Sequence, residues 1–340
     1  MPEANSPSSP ARVVSRRALV GGAAGSGIAL LLGSCSRLSP YAPGSGGGTP
    51  GSLPADEAPL IPYADLAAQL AGAADDFAAV AAAPRVASST GAWALAAAAM
   101  CLAQSQPLLR ADPLSARAGS MTSPHGVDSA SPSPSRPPGL SSRLAAIAAR
   151  QRLLVAQFRA RCLEAATGDL ALLLGSLAVS AHAVRGPAVP VAPSDLAPAH
   201  LDVGSREDAL RVLLSRVDAL AQGLEVGVGA LPGGSAEVDD GEKRLGEVWA
   251  LRDDIETRLV RASATPTPGP LAYQLPGTTG SATAVRTLWG RLERDVMAAW
   301  LRVAAASTGD DRGRAVDAAM AQQDLAASLA TPISWWPGWV

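Results

Sequence analysis

The stretch VRTLWGRLERDVMAAWLRV, residues 285–303, decides the fold of this chain. Its apolar residues recur every three or four positions, the spacing that places side chains on one face of an α-helix. They are Val285, Leu288, Trp289, Leu292, Val296, Ala299 and Val303. Residues 210–228 keep the same register. Each of these helices therefore presents a continuous apolar stripe that must be buried against neighbouring helices.

The same spacing predicts eight helices and no strand, so the fold class is all-α. They span about residues 63–82, 87–106, 141–165, 168–185, 206–230, 236–263, 281–307 and 310–330. Aromatic residues make up only 4% of the chain while alanine is abundant, which favours helices packed closely through small side chains. Ser205, followed by Asp208, predicts a capping box at the start of the fifth helix.

Segments rich in Pro, Gly and Ser divide the chain. We interpret residues 36–58 as a flexible tether and 111–140 as a disordered insertion. A proline-rich break over 186–205 separates an N-terminal helical region, 59–186, from a four-helix bundle, 205–340, which we expect to fold alone. The N-terminal helices could form a second, diverged bundle.

A long connector, Thr265–Gly280, joins the two helix pairs of the C-terminal bundle. In extended form it reaches roughly 50 Å at ~3.1 Å per residue, more than the ~40 Å length of a 27-residue helix. It can therefore cross the whole bundle. A hairpin, a long crossover and a second hairpin is the connectivity of ferritin-like bundles.

Three segments carry a family resemblance: Pro270–Pro276 (PLAYQLP), Leu292–Trp300 (LERDVMAAW) and Trp336-Pro337-Gly338. They resemble a ferritin-like domain family of unknown function that is found in exported actinobacterial proteins. The resemblance covers about residues 205–340 and implies a ferritin-like fold. Members of that family often carry Glu-His in the first bundle helix, where this chain has Val217-Asp218.

Polar residues lie beside the apolar stripes of the bundle, and we group four of them as a candidate buried cluster: Asp218, Arg252, Glu293 and Gln323. Arg252 falls between Val248 and Ile255, inside a stripe, where an arginine requires a partner. We expect Arg252 to contact Glu293. The alternative is that these are boundary residues whose charged ends reach water.

The sequence predicts no metal, cofactor or catalytic residue. Di-iron bundles use a Glu from each of two helices and Glu-x-x-His from each of the other two. The three histidines, His125, His182 and His200, all precede residue 205. The chain also lacks G-x-S-x-G, P-loop and dinucleotide-binding motifs and zinc-type cysteine spacing. Its net charge is −2, and it becomes −4 without residues 1–34, which contain Arg12, Arg16, Arg17 and Glu3, so a basic footprint for nucleic acid is not expected.

The N-terminus resembles an export signal. Arg16 and Arg17 precede a weakly apolar run, Ala18–Leu32, as in twin-arginine signals, and Leu32-Gly33-Ser34-Cys35 resembles a lipobox. The run is short for a spanning helix, which needs ~20 apolar residues, although an uncleaved anchor remains the alternative. We expect residues 1–35 to act as a signal peptide with lipidation at Cys35, which would anchor the protein at the outer face of the cytoplasmic membrane.

Two further features each leave two interpretations. Cys101 and Cys162 either form a disulfide outside the cytoplasm or are small buried hydrophobes. The ending ISWWPGWV, residues 333–340, either docks a partner or membrane surface or folds back over the bundle.

The leading hypothesis is a non-catalytic envelope lipoprotein that serves as a binding or scaffold module, with an envelope protein as a partner. The alternatives are a metal-binding ferritin-like redox protein and a binder of a small apolar ligand.

The lipobox predicts the fate of Cys35→Ala. Without the thiol that accepts the lipid, the chain should remain an unprocessed precursor or leave the membrane. Intact mass and membrane partition in an exporting bacterial host measure this, with Cys101→Ala as the control outside the motif. Unchanged mass and partition in Cys35→Ala would reject lipidation.

Overall fold

Eight helices make up almost all of the regular structure in the computed structural model, which describes residues 61–115, 139–194, 196–267, 269–270 and 272–339. They are α1 (Ala64–Ala81), α2 (Ser88–Leu108), α3 (Leu140–Glu164), α4 (Gly168–Ala183), α5 (Arg206–Ala230), α6 (Ala236–Arg261), α7 (Ala282–Ala305) and α8 (Gly309–Ser328). The all-α prediction is confirmed. The predicted signal peptide with Arg16, Arg17 and Cys35, the tether, His125 and most of the 111–140 insertion lie outside the described residues.

Hydroxyl side chains fix where several helices begin. Thr167, Ser205, Ser235 and Ser281 each accept a hydrogen bond from the backbone N–H three residues later. The Asp208 carboxylate accepts from the Ser205 hydroxyl at 2.7 Å and also from the Ser205 backbone N–H, which is the return bond of the predicted capping box. Helices α1, α2, α3 and α8 begin without a side-chain cap, so apolar spacing alone locates their starts.

The helices pair in the same way in the two halves of the chain. In the N-terminal half, α1 packs on α2, α3 on α4, and α1 on α3. In the C-terminal half, α5 packs on α6, α7 on α8, and α5 on α7. Each half is therefore two hairpins joined by a longer connection, with the first helices of the two hairpins side by side.

The connector between α6 and α7 runs along α5. The Arg211 guanidinium donates to the Thr265 carbonyl at 3.3 Å, and the Gln222 side-chain oxygen accepts from the Tyr273 backbone N–H at 2.7 Å. Arg211 and Gln222 are about 16 Å apart along a helix axis. Arg291 of α7 then donates to the Pro276 carbonyl at 2.7 Å. The connector thus travels along the bundle, as its length allows.

Helix α4 joins the two halves. It is apolar on every side, and 13 of its 16 residues are buried. It packs against α3 within its own half and against α7 and α8 of the other. Helix α3 also contacts α8. A two-fold axis between the halves would exchange α3 with α7 and α4 with α8. It would therefore relate the α4–α7 contact to the α3–α8 contact. An isolated segment 205–340 would expose the faces of α7 and α8 that α4 covers.

A buried arginine strengthens this junction. Arg312 of α8 is 4% exposed and donates to the carbonyls of Cys162 and Ala165, at the end of α3, at 3.0 and 2.8 Å. It also donates to Ser307 at the end of α7 at 2.7 Å. The last carbonyls of a helix lack intrahelical partners and carry partial negative charge, so one guanidinium satisfies two helix ends.

The C-terminal tail folds back over the protein. Ile333-Ser334 forms a two-residue parallel strand pair with Val191-Ala192, the only β structure in the described residues and too short for a periodic signal. Trp336 and Trp339 are buried. Gly338 adopts a positive φ of 84°, and a Cβ there would lie 3.1 Å from side-chain atoms of Leu172 and Leu301. The tail lies against α4 and α7. This matches the interpretation that residues 333–340 fold back over the bundle.

Glycines of α5 and α6 leave room for a large side chain of α7. Trp289 of α7 is 4% exposed, and its indole N–H donates to the Gly223 carbonyl of α5 at 2.9 Å. A Cβ on Gly227 would lie 2.4 Å from the Trp289 ring, and one on Gly241 of α6 would lie 2.7 Å from it. The ring fills a slot that only these glycines leave open.

Gly227→Ala should therefore destabilise the protein by about 2–4 kcal/mol, because the methyl group overpacks the slot and displaces the Trp289 hydrogen bond. Gly229→Ala is the matched control on the same helix, since a Cβ there meets nothing within 4 Å. It should stabilise by up to about 1 kcal/mol through helix propensity. Urea unfolding measures both, and equal effects would contradict the slot.

Candidate functional site

The candidate site is the set of polar side chains inside the C-terminal bundle. Its centre is Glu293 of α7, which is 1% exposed. The Arg244 guanidinium of α6 donates to both of its oxygens, through Nε to Oε1 at 2.8 Å and Nη2 to Oε2 at 3.0 Å. The Gln322 amide of α8 donates to Oε2 as well. Three helices are thus tied together through one buried carboxylate.

The electrostatics of this group follow from its burial. Burial raises the pKa of Glu293, and the opposing effects of Arg244 and Gln322 do not fully offset it. Burial also acts to lower the pKa of Arg244, but Glu293 and Glu247 together raise it. Glu247, at 3.0 Å from Arg244 Nη1, is half exposed and links the group to the surface. Arg244 therefore remains a cation in contact with two carboxylates.

Arg252 belongs to a second, more exposed group. Its Nε donates to Asp218 Oδ1 of α5 at 2.8 Å, and its Nη2 lies 2.8 Å from Glu256 Oε1. The guanidinium also lies over the Trp249 ring, 5.7 Å from its centroid. The predicted contact between Arg252 and Glu293 is thus wrong, because each has other partners.

The sequence missed Arg244, which takes the place expected of Arg252. The two arginines are eight residues apart on α6, or about 12 Å along its axis. Which of them faces Glu293 depends on the axial stagger of α6 and α7, and an apolar stripe does not encode stagger. The available signal was Glu247, an acidic residue three positions after Arg244, which holds one side of the guanidinium.

Gln323 is buried at 1% exposure, which matches the buried and not the boundary interpretation, but it does not join the Glu293 group. Its neighbour Gln322 is the residue that bonds Glu293. Within the described part of the chain, the Gln323 Nε2 atom has no hydrogen-bond partner. The four predicted residues are therefore divided among an Asp218–Arg252 pair, Glu293 and a separate Gln323.

These residues do not fit the two-metal centre that a ferritin-like fold implies. Such a centre needs free carboxylates on four helices with imidazole support. Here both Glu293 oxygens accept from Arg244, and a guanidinium cation lies where a metal cation would have to bind. Among the described residues, no group of three or more His, Cys, Asp or Glu side chains is placed to hold a metal ion.

His200 lies between two carboxylates. Its Nδ1 is 2.9 Å from Asp169 Oδ2 and its Nε2 is 2.8 Å from Asp112 Oδ2. Hydrogen bonds that His200 donates to these two carboxylates raise the pKa of His200, and the hydrogen bond with His200 lowers the pKa of Asp112. With both ring nitrogens engaged, His200 joins segments around residues 112, 169 and 200 and offers no free nitrogen as a general base.

His182 of α4 contacts α8. Its Nε2 lies 2.8 Å from Asp324 Oδ1 and 2.8 Å from Arg185 Nη2. Burial lowers the pKa of His182, although Asp324 opposes this effect. The pair is one more contact between the two halves of the chain.

The two described cysteines are free, buried thiols, which is the second of their two interpretations. Burial raises the pKa of Cys101 to about 12 and that of Cys162 to about 11. The Cys162 thiol donates to the Ala171 carbonyl at 3.2 Å. Neither forms a thiolate at neutral pH, so both act as packing groups.

The more highly charged of two described surface clefts lies where α6 ends and α5 and α8 begin. Four arginines and two aspartates line it: Arg206, Arg258, Arg261, Arg314, Asp254 and Asp311. Arg206 and Arg314 both bond Asp311, and Arg258 bonds Asp254. The other cleft is lined by Asp65, Leu66, Gln157, Ala160, Arg161 and Glu164. Charged walls suit an anion or solvent better than an apolar ligand.

None of the described helices has the length and hydropathy needed to cross a membrane.

Arg244→Met should cost about 3–5 kcal/mol at pH 7.5, because it leaves Glu293 buried with only Gln322 as a partner. The folded-state pKa of Glu293 then lies still further above its ordinary value of 4.5. The folded variant binds a proton at a higher pH than the unfolded chain does, so its stability rises as the pH falls toward 4.5. The cost should therefore be smaller at pH 5.

Arg252→Met is the matched control, since it removes an arginine from the same helix but from a more exposed pair. Its side chain is 31% exposed and that of Asp218 is 15% exposed. The expected cost is about 1 kcal/mol or less, with little change between pH 7.5 and pH 5. Urea unfolding at both pH values tests the pair of variants, and a pH-independent cost for Arg244→Met would contradict the assignment.

Comparison with known proteins gives one family match. Residues 228–338 match the model of a domain of unknown function (DUF4439). The match runs from the end of α5 through the tail, so it contains Arg244, Glu293 and Gln322. No curated protein and no solved structure matches the chain.

Proposed function

We propose that this chain is an exported, lipid-anchored protein of the cell envelope, built as a non-catalytic helical binding or scaffold module. Arg16, Arg17 and the Leu32–Cys35 lipobox support export and anchoring at the outer face of the cytoplasmic membrane. The chain then works as a body of helices on a tether, residues 36–58.

The observation that carries the non-catalytic part is the closure of the Glu293 group. The bundle interior is where proteins of this connectivity place their cofactor ligands. In this chain the carboxylate at that depth is bonded to Arg244 and Gln322. Because the buried charged groups are bonded to one another, the interior serves helix packing. Binding of a partner then takes place on the outer surfaces.

We further propose that residues 205–340 are a ferritin-like bundle of the exported actinobacterial type. Support comes from the hairpin–crossover–hairpin order of α5–α8, the path of the connector along α5, and the domain match over 228–338. The equivalent pairing of α1–α4 supports a second bundle of the same connectivity, so the chain would be an internal duplication of architecture.

Metal analysis of the full-length, tag-free protein tests this function against its redox alternative. Under the proposal, iron and manganese stay below about 0.1 per chain. A chelator leaves the unfolding midpoint unchanged, because the free energy of metal binding does not contribute to folding. About two metal ions per chain, with a midpoint that falls on chelation, would establish the metal-binding redox protein instead.

Native mass spectrometry of protein from an exporting host tests the remaining alternative. A bare protein mass is expected. A reproducible added mass that disappears on organic extraction would show a bound small apolar ligand and would overturn the closed-interior argument.

A further inference from the structure

The cleft where α6 ends and α5 and α8 begin carries an excess of positive charge. We call it the arginine cleft, and its charged lining residues are Arg206, Arg258, Arg261, Arg314, Asp254 and Asp311. Four cations against two anions give a charge of +2, whereas the chain as a whole has a formal net charge of −2. The cleft is therefore positive in a protein that is negative overall.

Asp311 lies among the guanidiniums of three helices. Arg206 Nη2 of α5 lies 2.8 Å from Asp311 Oδ2, and Arg314 Nη2 of α8 donates to the other oxygen of the same carboxylate. The hydrogen bond from Arg314 lowers the pKa of Asp311, and the charges of Arg206 and Arg258 act in the same direction. One carboxylate cannot neutralise three guanidiniums, so positive charge remains for a further anion.

Arg258 of α6 is held in place without a ligand. Its Nη2 lies 2.8 Å from Asp254 Oδ2, and its guanidinium lies 5.8 Å from the centroid of the Trp300 ring, which is 4% exposed. A side chain that is already ordered loses less conformational entropy when it binds an anion.

Two groups in the cleft have no acceptor within the described part of the chain. The Arg206 Nε atom is buried and makes no hydrogen bond there. Arg261 is exposed, and no described carboxylate pairs with it. A buried N–H without an acceptor costs free energy, and an oxygen atom of a ligand would remove that cost.

Helix-end electrostatics do not explain the whole arrangement. Arg258 and Arg261 lie in the last turn of α6, where the helix dipole favours a cation. Arg206 is the first residue of α5, where the dipole disfavours one. Its ion pair with Asp311 has side chains 33% and 35% exposed, so that pair contributes little stability. The position of Arg206 is better explained by an anion that it faces.

The cleft matches a phosphate group better than a carboxylate. Arginine donors reach it from three helices, and each guanidinium presents a fork that bonds two oxygens. A phosphate monoester offers three acceptor oxygens in different directions and a charge of about −1.5 to −2 at pH 7, whereas a carboxylate offers two oxygens and one charge. The cleft volume of about 440 Å³ leaves room for the group that carries the phosphate.

We propose that the arginine cleft is a binding site for a phosphate group, carried by a soluble phosphate compound or by a lipid headgroup. Arg261 and the Nε atom of Arg206 supply free donors, and Arg258 and Arg314 complete the positive surround. This inference goes beyond the proposed function and does not depend on export or lipidation.

Isothermal titration calorimetry with sodium phosphate tests the site in the full-length chain carrying Cys35→Ala. At pH 7.5 and constant ionic strength, one phosphate should bind per chain with a dissociation constant below about 2 mM. Acetate should bind at least ~10-fold more weakly, because it has fewer oxygens and less charge. Weaker or unsaturable phosphate binding, or equal binding of acetate, would overturn the proposal.

Arg261→Met locates the binding in the cleft. It should raise the dissociation constant for phosphate at least ~10-fold, because it removes a charged donor. The urea midpoint should stay unchanged, since Arg261 has no described ion-pair partner to lose. Arg152→Met is the matched control, because it removes an exposed arginine of α3 and changes the net charge equally. Equal dissociation constants for the two variants would show that the cleft is not the site.

Asp254→Asn tests the charge of the cleft through a gain of affinity, which a damaged structure would not produce. It removes one of the two lining carboxylates and should lower the dissociation constant at least ~3-fold. Asp253→Asn, one residue away and outside the lining, is the control and should have a smaller effect. Binding that is no tighter in Asp254→Asn than in Asp253→Asn would contradict the electrostatic match.

Vesicles distinguish the two sources of phosphate. Vesicles of equal parts phosphatidylcholine and phosphatidic acid present a phosphate monoester, and vesicles of phosphatidylcholine alone are the control. Co-sedimentation that Arg261→Met abolishes and Arg152→Met leaves intact would assign the site to a lipid headgroup. Calorimetric binding of phosphate without co-sedimentation would assign it to a soluble phosphate compound. Binding of neither probe would overturn the site.

Discussion

The structure depends on the burial of one helix, α4, which is apolar on every side. A helix of this kind has no face to offer water, so it must be enclosed by other elements. Its own half supplies α3, and α7 and α8 of the other half supply the rest. The two halves are consequently parts of one core, although the proline-rich segment between them looks like a domain boundary in the sequence. Contacts at the edge of this junction, such as Arg312 at the end of α3, add polar specificity to an apolar interface.

The helices could be predicted because their signals are local. Apolar spacing and the predicted cap at Ser205 act within one or two turns, and they placed the helix bounds closely. The caps that the structure shows at Ser235 and Ser281 are equally local. The partner of Glu293 could not be predicted in this way. It depends on how far α6 and α7 slide along one another, and that stagger is set by the Trp289 ring in its glycine slot and by the path of the connector. The sequence also did not show which helices α4 meets, since its apolar residues lie on every side and have no helical periodicity.

The two arginines of the C-terminal bundle illustrate how burial decides what an ion pair does. Arg252 is partly solvated, stacks on Trp249 and shares its charge with Asp218 and Glu256, so each contact contributes little. Arg244 is the only cation bonded to a nearly inaccessible carboxylate among the described residues. Its pairing with Glu293 offsets the desolvation of that carboxylate and fixes α6 against α7 and α8. A buried group of this kind specifies one arrangement of helices more than it adds stability, because well-packed apolar residues could fill the same volume.

A comparison of α2 with α6 shows which of their residues the fold requires and which it does not. Both helices pack one face on a neighbour, and that constraint explains their buried residues equally well. It does not explain why one outer face is densely charged and the other carries alanine and leucine. Leu95, Leu102 and Leu109 keep 61%, 37% and 48% of their surface exposed, and that part gains nothing from folding because it contacts water in the folded and unfolded chain alike. The packing of the fold therefore does not account for the exposed leucines of α2.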